Sequence, residues 1–422
     1  MSYFRINLYL PLKYFFLFFF ISENKIVKKI KDRLKIISNK KEIIITSQLR
    51  VGFILVLKYL KKKNPNKKEI VISAYNLAEM VSICDNLNLK IVYTKLNKNL
   101  FISAKDLRKK INKNTLAVVS TNMFNTFLDS NETKRICKKK KVTLIEDNAI
   151  YFGNYKKIKS KKIYAGSFGD YCLNSFNIMK NISAMYGGAV ATNDKNFISF
   201  ANEYLENFKD FPFLKYSKQC FIFFVLKILS LRFFYKSIFF RIIKKASLKN
   251  NQFFLSFVYP SLRFKRQNFP NYYYSKITKL SLKMIYLQLM NHDNFNKYHK
   301  AKKNNNIYYN KLLSKRKIKG LELVNYSDAN FQNFNDFPIL VYKKKSLVKY
   351  LFSKGIETKT IQYVDCQKIF RGTSKEKLNL YENRVLCLPN HIKIKKSYID
   401  YIVSKIYYFF KNKKIKKIKI SS

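Results

Sequence analysis

Short apolar runs alternate along this chain with longer segments in which apolar residues recur every three or four positions. The runs Glu69–Ala74, Leu89–Tyr93, Leu116–Ser120 and Val142–Glu146 predict strands buried on both faces, because continuous apolar stretches of that length suit a parallel sheet covered by helices. Between them, Asn76–Asn86, Ser103–Ile111 and Asn131–Lys140 predict helices. The second opens with Ser103 and Asp106 in a spacing close to that of a capping box. Upstream, Ile26, Ile30, Leu34 and Ile37 place an apolar stripe on a basic helix over Lys25–Lys41. The segment from Ser47, SQLRVGFILVLKYL, has the length and apolar density of a buried helix. This strand–helix rhythm predicts a mainly parallel sheet with helices on both faces.

One stretch, Val142–Thr192, departs from the rest in its chemistry. The chain has 9 Gly in 422 residues, yet Gly153, Gly166, Gly169, Gly187 and Gly188 fall here. Glycine is kept where backbone takes positive φ or approaches something closely, so the cluster points to a site. The strand Val142–Glu146 delivers Asp147 to its carboxyl end, where ligands collect in open α/β sheets. Ser175 and Lys180 follow, then a small-residue turn and another apolar strand. A carboxylate, a hydroxyl and a lysine converging on one pocket are what pyridoxal phosphate (PLP) requires. The lysine bonds its aldehyde carbon, the carboxylate keeps its pyridine nitrogen protonated, and hydroxyl and backbone N–H groups bind its phosphate. Singly, each residue has a plainer reading: an aspartate at a strand end is often a turn residue, and one lysine among many is often solvated. Their order and setting favour the chemical reading.

The series I-E-D-x-A, G-S-x-G-D, S-F-x-x-x-K and G-G-A-V-x-T-x-D, from Ile145 to Asp194, resembles the signature of the DegT/StrS-like sugar aminotransferases. That resemblance implies a PLP-dependent transferase of fold type I: a mainly parallel seven-stranded sheet in a large domain, with a smaller α+β C-terminal domain. It implies Lys180 as the lysine that carries the cofactor, Asp147 as the partner of the pyridine nitrogen and Ser175 as a phosphate ligand. Lysine at 180, where related dehydratases have histidine, implies transamination. The phosphate-binding helix start of the family aligns with Gln48, Leu49 and Arg50, with Leu49 in place of a glycine. The ring-stacking aromatic aligns with Leu77, near Tyr75, and a family glutamine aligns with Ile150. The segment Pro270–Ser275 is similar to one whose asparagine reaches the PLP phosphate of a neighbouring subunit, which implies Asn271 as a contact across a homodimer. Tyr273 stands where that segment has arginine.

Composition changes this picture little. The net charge of +59 invites a nucleic-acid reading, but the lysines are spread without a nucleic-acid motif. The enrichment in Lys, Ile, Asn, Phe and Tyr follows A/T-rich codons, so no specific nucleic-acid partner is expected. A basic surface would still attract nucleotide-linked substrates and acidic membranes. Six cysteines without a C-x-x-C pair, and only three histidines, suggest neither a disulfide framework nor a metal site, and fit a reducing cytoplasm.

The remaining segments are read as follows. Tyr14–Ile21 (YFFLFFFI) is too short to span a bilayer, which takes about 20 residues. Two readings stay open for it, an arm packed on the enzyme and a membrane-surface attachment. Asp194–Phe211 predicts a helix, as does Ser275–Lys302. Cys220–Leu231 and the basic stretch to Lys245 read either as interdomain or dimer-contact helices or as an amphipathic membrane-surface element. The expected division is an arm and basic helix at 1–41, a PLP-binding domain at 42–215, a helical insertion at 216–268 and a small domain at 269–422, ending in a basic tail. His391 reads as a turn histidine or a substrate contact. The resemblance implies amino transfer from an amino acid, such as glutamate, to a keto-sugar joined to a nucleotide, in the cytoplasm or at the inner face of its membrane. The alternative, motivated by Leu49, Leu77 and Ile150, is a catalytically weakened homologue serving as a membrane-associated scaffold.

Overall fold

A computed structural model describes residues 3–17, 20, 25–124, 127–249, 251, 265, 267–324, 336–360, 363–371 and 379–412. Parts of the expected N-terminal run, the insertion and the basic tail lie outside them. Seven strands form the central sheet: β1 (Glu42–Thr46), β2 (Glu69–Ser73), β3 (Lys90–Thr94), β4 (Thr115–Thr121), β5 (Thr143–Asp147), β6 (Tyr171–Ser175) and β7 (Gly188–Thr192). Their spatial order is β1-β7-β6-β5-β4-β2-β3. β7 alone runs antiparallel to its neighbours, and the pairs from β6 through to β3 are parallel. The strands are buried nearly throughout, as their unbroken apolar runs require.

Helices follow the predicted rhythm: α1 (Ile26–Ser38), α2 (Leu49–Lys63), α3 (Ala78–Asn86), α4 (Ala104–Lys110), α5 (Phe127–Lys139) and α6 (Lys195–Glu206). The α1 stripe is buried at Ile26, Ile30, Leu34 and Ile37. Ser103 caps α4 by accepting the Asp106 N–H at 3.4 Å, and Asp194 caps α6 through the Phe197 N–H at 3.2 Å.

Among the boundaries that differ from expectation, three have a local reason. α3 begins at Ala78 because Tyr75–Asn76 pairs as a short strand with Val364–Asp365, from nearly 300 residues away in sequence. α6 stops at Glu206, well before Phe211, because Lys209 pairs outside the helix with Ser275, its N–H donating to the Tyr274 carbonyl at 3.2 Å and its carbonyl accepting the Lys276 N–H at 2.8 Å. The predicted helix Ser275–Lys302 is two, α8 (Lys279–Met290) and α9 (His292–Lys315), broken at Asn291; α8 starts where Thr278 accepts the Ser281 N–H at 3.1 Å.

A second, three-stranded sheet joins Leu321–Leu323, Asp336–Val341 and Val385–Pro389, covered by helices Lys344–Ser353 and Lys396–Lys411. The N-terminal arm is tied into this body. Arg5 Nη1 lies 2.5 Å from Asp336 Oδ1, its backbone N–H donates to Glu357 Oε2 at 3.1 Å, and Tyr235 donates to the same carboxylate at 2.7 Å. His391 is buried with Nε2 2.8 Å from the Phe4 carbonyl, which gives it a structural place under the arm.

Candidate active site

β1, β5 and β6 run in the same direction, so Thr46, Asp147 and Ser175 end on one edge of the sheet. α2 starts just beyond Thr46. Its first N–H groups, on Leu49, Arg50 and Val51, precede the first intrahelical bond, from the Gly52 N–H to the Gln48 carbonyl. The turn that leads into it lies on Gly188: a Cβ there would sit 2.3 Å from the Leu49 nitrogen and 2.4 Å from the Gln48 carbonyl carbon. Gly188 also pairs with Ser175 across the β6–β7 ladder, which brings that serine beside the helix start. Ser47 Oγ and Gln48 Nε2 are buried here without a hydrogen-bond partner among the described residues.

Gly166 and Gly169 serve the strand end. The carboxylate of Glu146 accepts N–H groups of Phe168 and Gly169 at 2.8 and 2.6 Å, which folds the G-S-F-G-D turn beneath β5. A Cβ on Gly169 would meet the Tyr171 carbonyl oxygen at 2.9 Å, and Gly166 has φ +87°. The glycines thus shape the turn, while the neighbouring carboxylate is left for chemistry. Asp147 is buried and accepts the Ala149 N–H at 3.0 Å. Burial raises its carboxyl above the ordinary range, opposed by that hydrogen bond and by the charges of Lys180 and Arg50.

Lys180 sits in the loop between β6 and β7. The loop is fastened at several points: Ala184 N–H to the Phe176 carbonyl, Gln288 to both backbone groups of Ser183, and Lys302 Nζ to Asn181 Oδ1 at 2.7 Å. Among the described residues the Lys180 ammonium has no hydrogen-bonded or ion-pair partner. Burial pushes it down to about 8; Asp147 opposes that shift, while Lys359 and Arg50 add to it. Asp147, Lys180 and Arg50 therefore share one electrostatic neighbourhood at the strand edge.

The other expected residues are placed as follows. Leu49 is buried at the first turn of α2. The guanidinium of Arg50 is committed elsewhere: its Nε lies 2.6 Å from Glu79 Oε2, and Nη1 donates to Gln48 Oε1 at 3.2 Å. Leu77 and Ile150 are half-buried in turns at this edge, after β2 and after β5. Tyr75 is fully buried, edge-on to Tyr363 with centroids 5.9 Å apart. Asn271 is exposed on the one-turn helix Asn271–Tyr274, two residues from Tyr273, whose hydroxyl donates to Glu79.

Sequence reasoning missed Glu79, Tyr363 and Lys359. Glu79 alone left a signal, as an acid on the apolar helix AEMVSIC. Tyr363 and Lys359 reach the site only because the crossing pair of Tyr75–Asn76 with Val364–Asp365 carries the small domain's chain over the large sheet. Tyr363 stands in the field of Asp147, which joins burial in pushing its hydroxyl well above the ordinary value.

The residues fit PLP. A phosphate would find free helix-terminal N–H groups and two buried unpartnered polar atoms; a pyridine nitrogen would find Asp147; and an aldehyde carbon would find a lysine shifted toward its neutral form. The seven-stranded order with one reversed strand, joined to a smaller sheet by chain that crosses the strand edge, is the fold of type I PLP-dependent transferases.

Residues 21–208 match the model of the DegT/DnrJ/EryC1/StrS aminotransferase family. Two GDP-perosamine synthases are similar over part of this chain: one from Escherichia coli O157:H7, 34% identical over 99 residues, and one from Vibrio cholerae, 28% identical over 126. The matched segments cover 24% and 30% of this chain, and 26% and 33% of those relatives' own length. Among solved structures, Helicobacter pylori PseC, an aminotransferase involved in the biosynthesis of pseudoaminic acid, superimposes with a TM-score of 0.69 at 13% identity, covering 97% of this chain and 100% of that one. The chain as a whole therefore follows the fold of that solved structure.

Proposed function

We propose that this protein is a PLP-dependent aminotransferase that moves an amino group from an amino acid to the keto group of a nucleotide-linked sugar. What supports the reading is the mutual electrostatic influence of Asp147, at a strand end, and Lys180, in the β6–β7 loop, beside a helix start whose Ser47 Oγ and Gln48 Nε2 are buried without a hydrogen-bond partner among the described residues. Bound there, PLP supplies an electron sink for the negative charge left when the amino-bearing carbon loses its proton. Asp147 holds a proton on the pyridine nitrogen, and that positive partner compensates the carboxylate for its burial. Lys180, released as a free amine, takes the proton from the amino-bearing carbon and returns it on the other side of the exchange. Its shift to about 8 keeps a useful fraction neutral near physiological pH. Ser175 and the N–H groups of Leu49, Arg50 and Val51 hold the phosphate. Glutamate is the proposed donor, and the name of the GDP-perosamine synthases supports a nucleotide-linked acceptor. Asn271, exposed beside the Tyr273–Glu79–Arg50 group, is the proposed contact to a second subunit's site.

Purified protein incubated with PLP should acquire a visible absorption band that Lys180→Ala loses, and should aminate a nucleotide-linked keto-sugar at the expense of glutamate. A protein that takes up no PLP would falsify the reading.

A further inference from the structure

The insertion after α6 has two unlike faces. Helix α7 (Phe213–Leu229) and the helical run Arg232–Leu248, with its π turn at Tyr235–Phe239, bury Tyr216, Phe223, Leu226, Tyr235, Phe239 and Ile243 on the inner side. There they clamp the N-terminal arm. Phe4 lies 5.4 Å from both Tyr235 and Phe239, and Lys227 donates to the carbonyls of Leu8 and Leu10 at 2.7 and 3.1 Å. That side accounts for the smaller share of the large apolar residues.

The outer side carries more of them. Leu214 is 82% exposed, Phe221 69%, Phe233 76% and Ile238 52%. The one-turn helix Lys13–Leu17 extends the same surface, because Phe15 packs on Phe224 with centroids 4.6 Å apart while Phe16 is 72% exposed. Scattered apolar residues on a surface are ordinary, but a contiguous patch of large ones marks an interaction site. Its charge selects the partner. From Phe211 to Lys249 the sequence holds nine Lys and Arg and no Asp or Glu, and Lys218, Arg232, Lys236, Arg241 and Lys245 are exposed among the phenylalanines.

We propose that this face docks on an anionic lipid surface, its phenylalanines entering the boundary between headgroups and acyl chains and its lysines and arginines meeting lipid phosphates. The boundary of a bilayer offers both kinds of contact at once, apolar below and negative above. A second copy of this chain would offer the apolar contact but would set Lys218, Arg232, Lys236, Arg241 and Lys245 against their own copies, so the charge argues against self-pairing. No helix among the described residues is long and apolar enough to cross a membrane, so the attachment lies in the plane of the surface. The inference is independent of the cofactor reading, since it uses none of the same residues.

The test is sedimentation of the full chain with phosphatidylcholine vesicles and with phosphatidylcholine–phosphatidylglycerol vesicles, across a salt series. Binding is expected to the anionic vesicles and to weaken as salt rises. Lys236→Gln with Arg241→Gln should weaken it on the order of tenfold or more. Phe221→Ser with Phe233→Ser should also weaken it, with unchanged thermal melting because both side chains are exposed. Equal binding to both vesicle types, or none to either, overturns the proposal. So does an oligomer that dissociates in the Phe221→Ser, Phe233→Ser variant while lipid binding stays nil, which would assign the face to a second copy.

Discussion

Two clusters of charge lie near one another in this molecule, and they are built differently. Under the N-terminal arm, Arg5, Asp336 and Glu357 are paired at hydrogen-bonding distance, and Lys359 lies 3.8 Å from Asp336. At the strand edge, Asp147 has one N–H donor and Lys180 has no ion-pair or hydrogen-bond partner among the described residues, and burial shifts both from their ordinary values, Asp147 upward and Lys180 down to about 8. Burying charge is tolerated when partners compensate it. The first cluster is complete within the chain and so reads as structure. The second is incomplete, and a bound molecule with a phosphate and a protonated ring nitrogen would complete it.

The sharpest way to break the comparison is to unpair the first cluster. Arg5→Met leaves Asp336 and Glu357 buried short of a cation, and should cost about 3–5 kcal/mol of stability, measured as a lowered urea midpoint. Asp147→Asn should do the reverse. Because burial raises the Asp147 carboxyl, ionising it costs native stability as pH climbs above the ordinary aspartate range. The amide removes that cost, so the urea midpoint should hold or rise while turnover falls roughly 10²- to 10³-fold. A large loss of stability in Asp147→Asn would make this cluster structural as well.

Smaller effects refine the contrast. Gly188→Ala forces a methyl against the turn that leads into α2 and should cost about 1–3 kcal/mol, with weakened PLP retention in the folded protein, read by equilibrium dialysis. The rate of PLP uptake by Lys180 should rise about tenfold per pH unit and level off near pH 8, because only the neutral amine reacts; stopped-flow absorbance measures it, and a plateau delayed to the ordinary lysine range would show an unperturbed amine. As a baseline, the exposed Arg108–Glu132 pair, 2.7 Å apart, should change stability by less than about 1 kcal/mol when Arg108 becomes Gln.

Much of this was legible in local pattern. The strands announced themselves because buried parallel strands need continuous apolar runs, and the glycine cluster marked the turn beneath Asp147 because those backbones leave no room for a side chain. Arg50 shows the limit of such reading. Its position in the α2 turn was visible, but its guanidinium is turned to Glu79 and Tyr273, one on α3 and one on the Asn271–Tyr274 turn, and no spacing rule links the three. The break at Asn291 was hidden for a similar reason, since the periodicity on either side is helical and a change of direction leaves it intact.

By itself the sequence determined which segments became the strands and helices of the large sheet, where the reversed strand's glycines fell, which aspartate stood at a strand end and which lysine fell in the loop after the next strand, because these follow from periodicity and local backbone freedom. Only the tertiary structure decided that Tyr363 and Lys359 overhang the site, that Arg5 closes a buried charge cluster more than 300 residues away, and that one face of the insertion stays exposed. Those depend on which distant surfaces meet, and burial and charge pairing between them are settled only when the whole chain has packed.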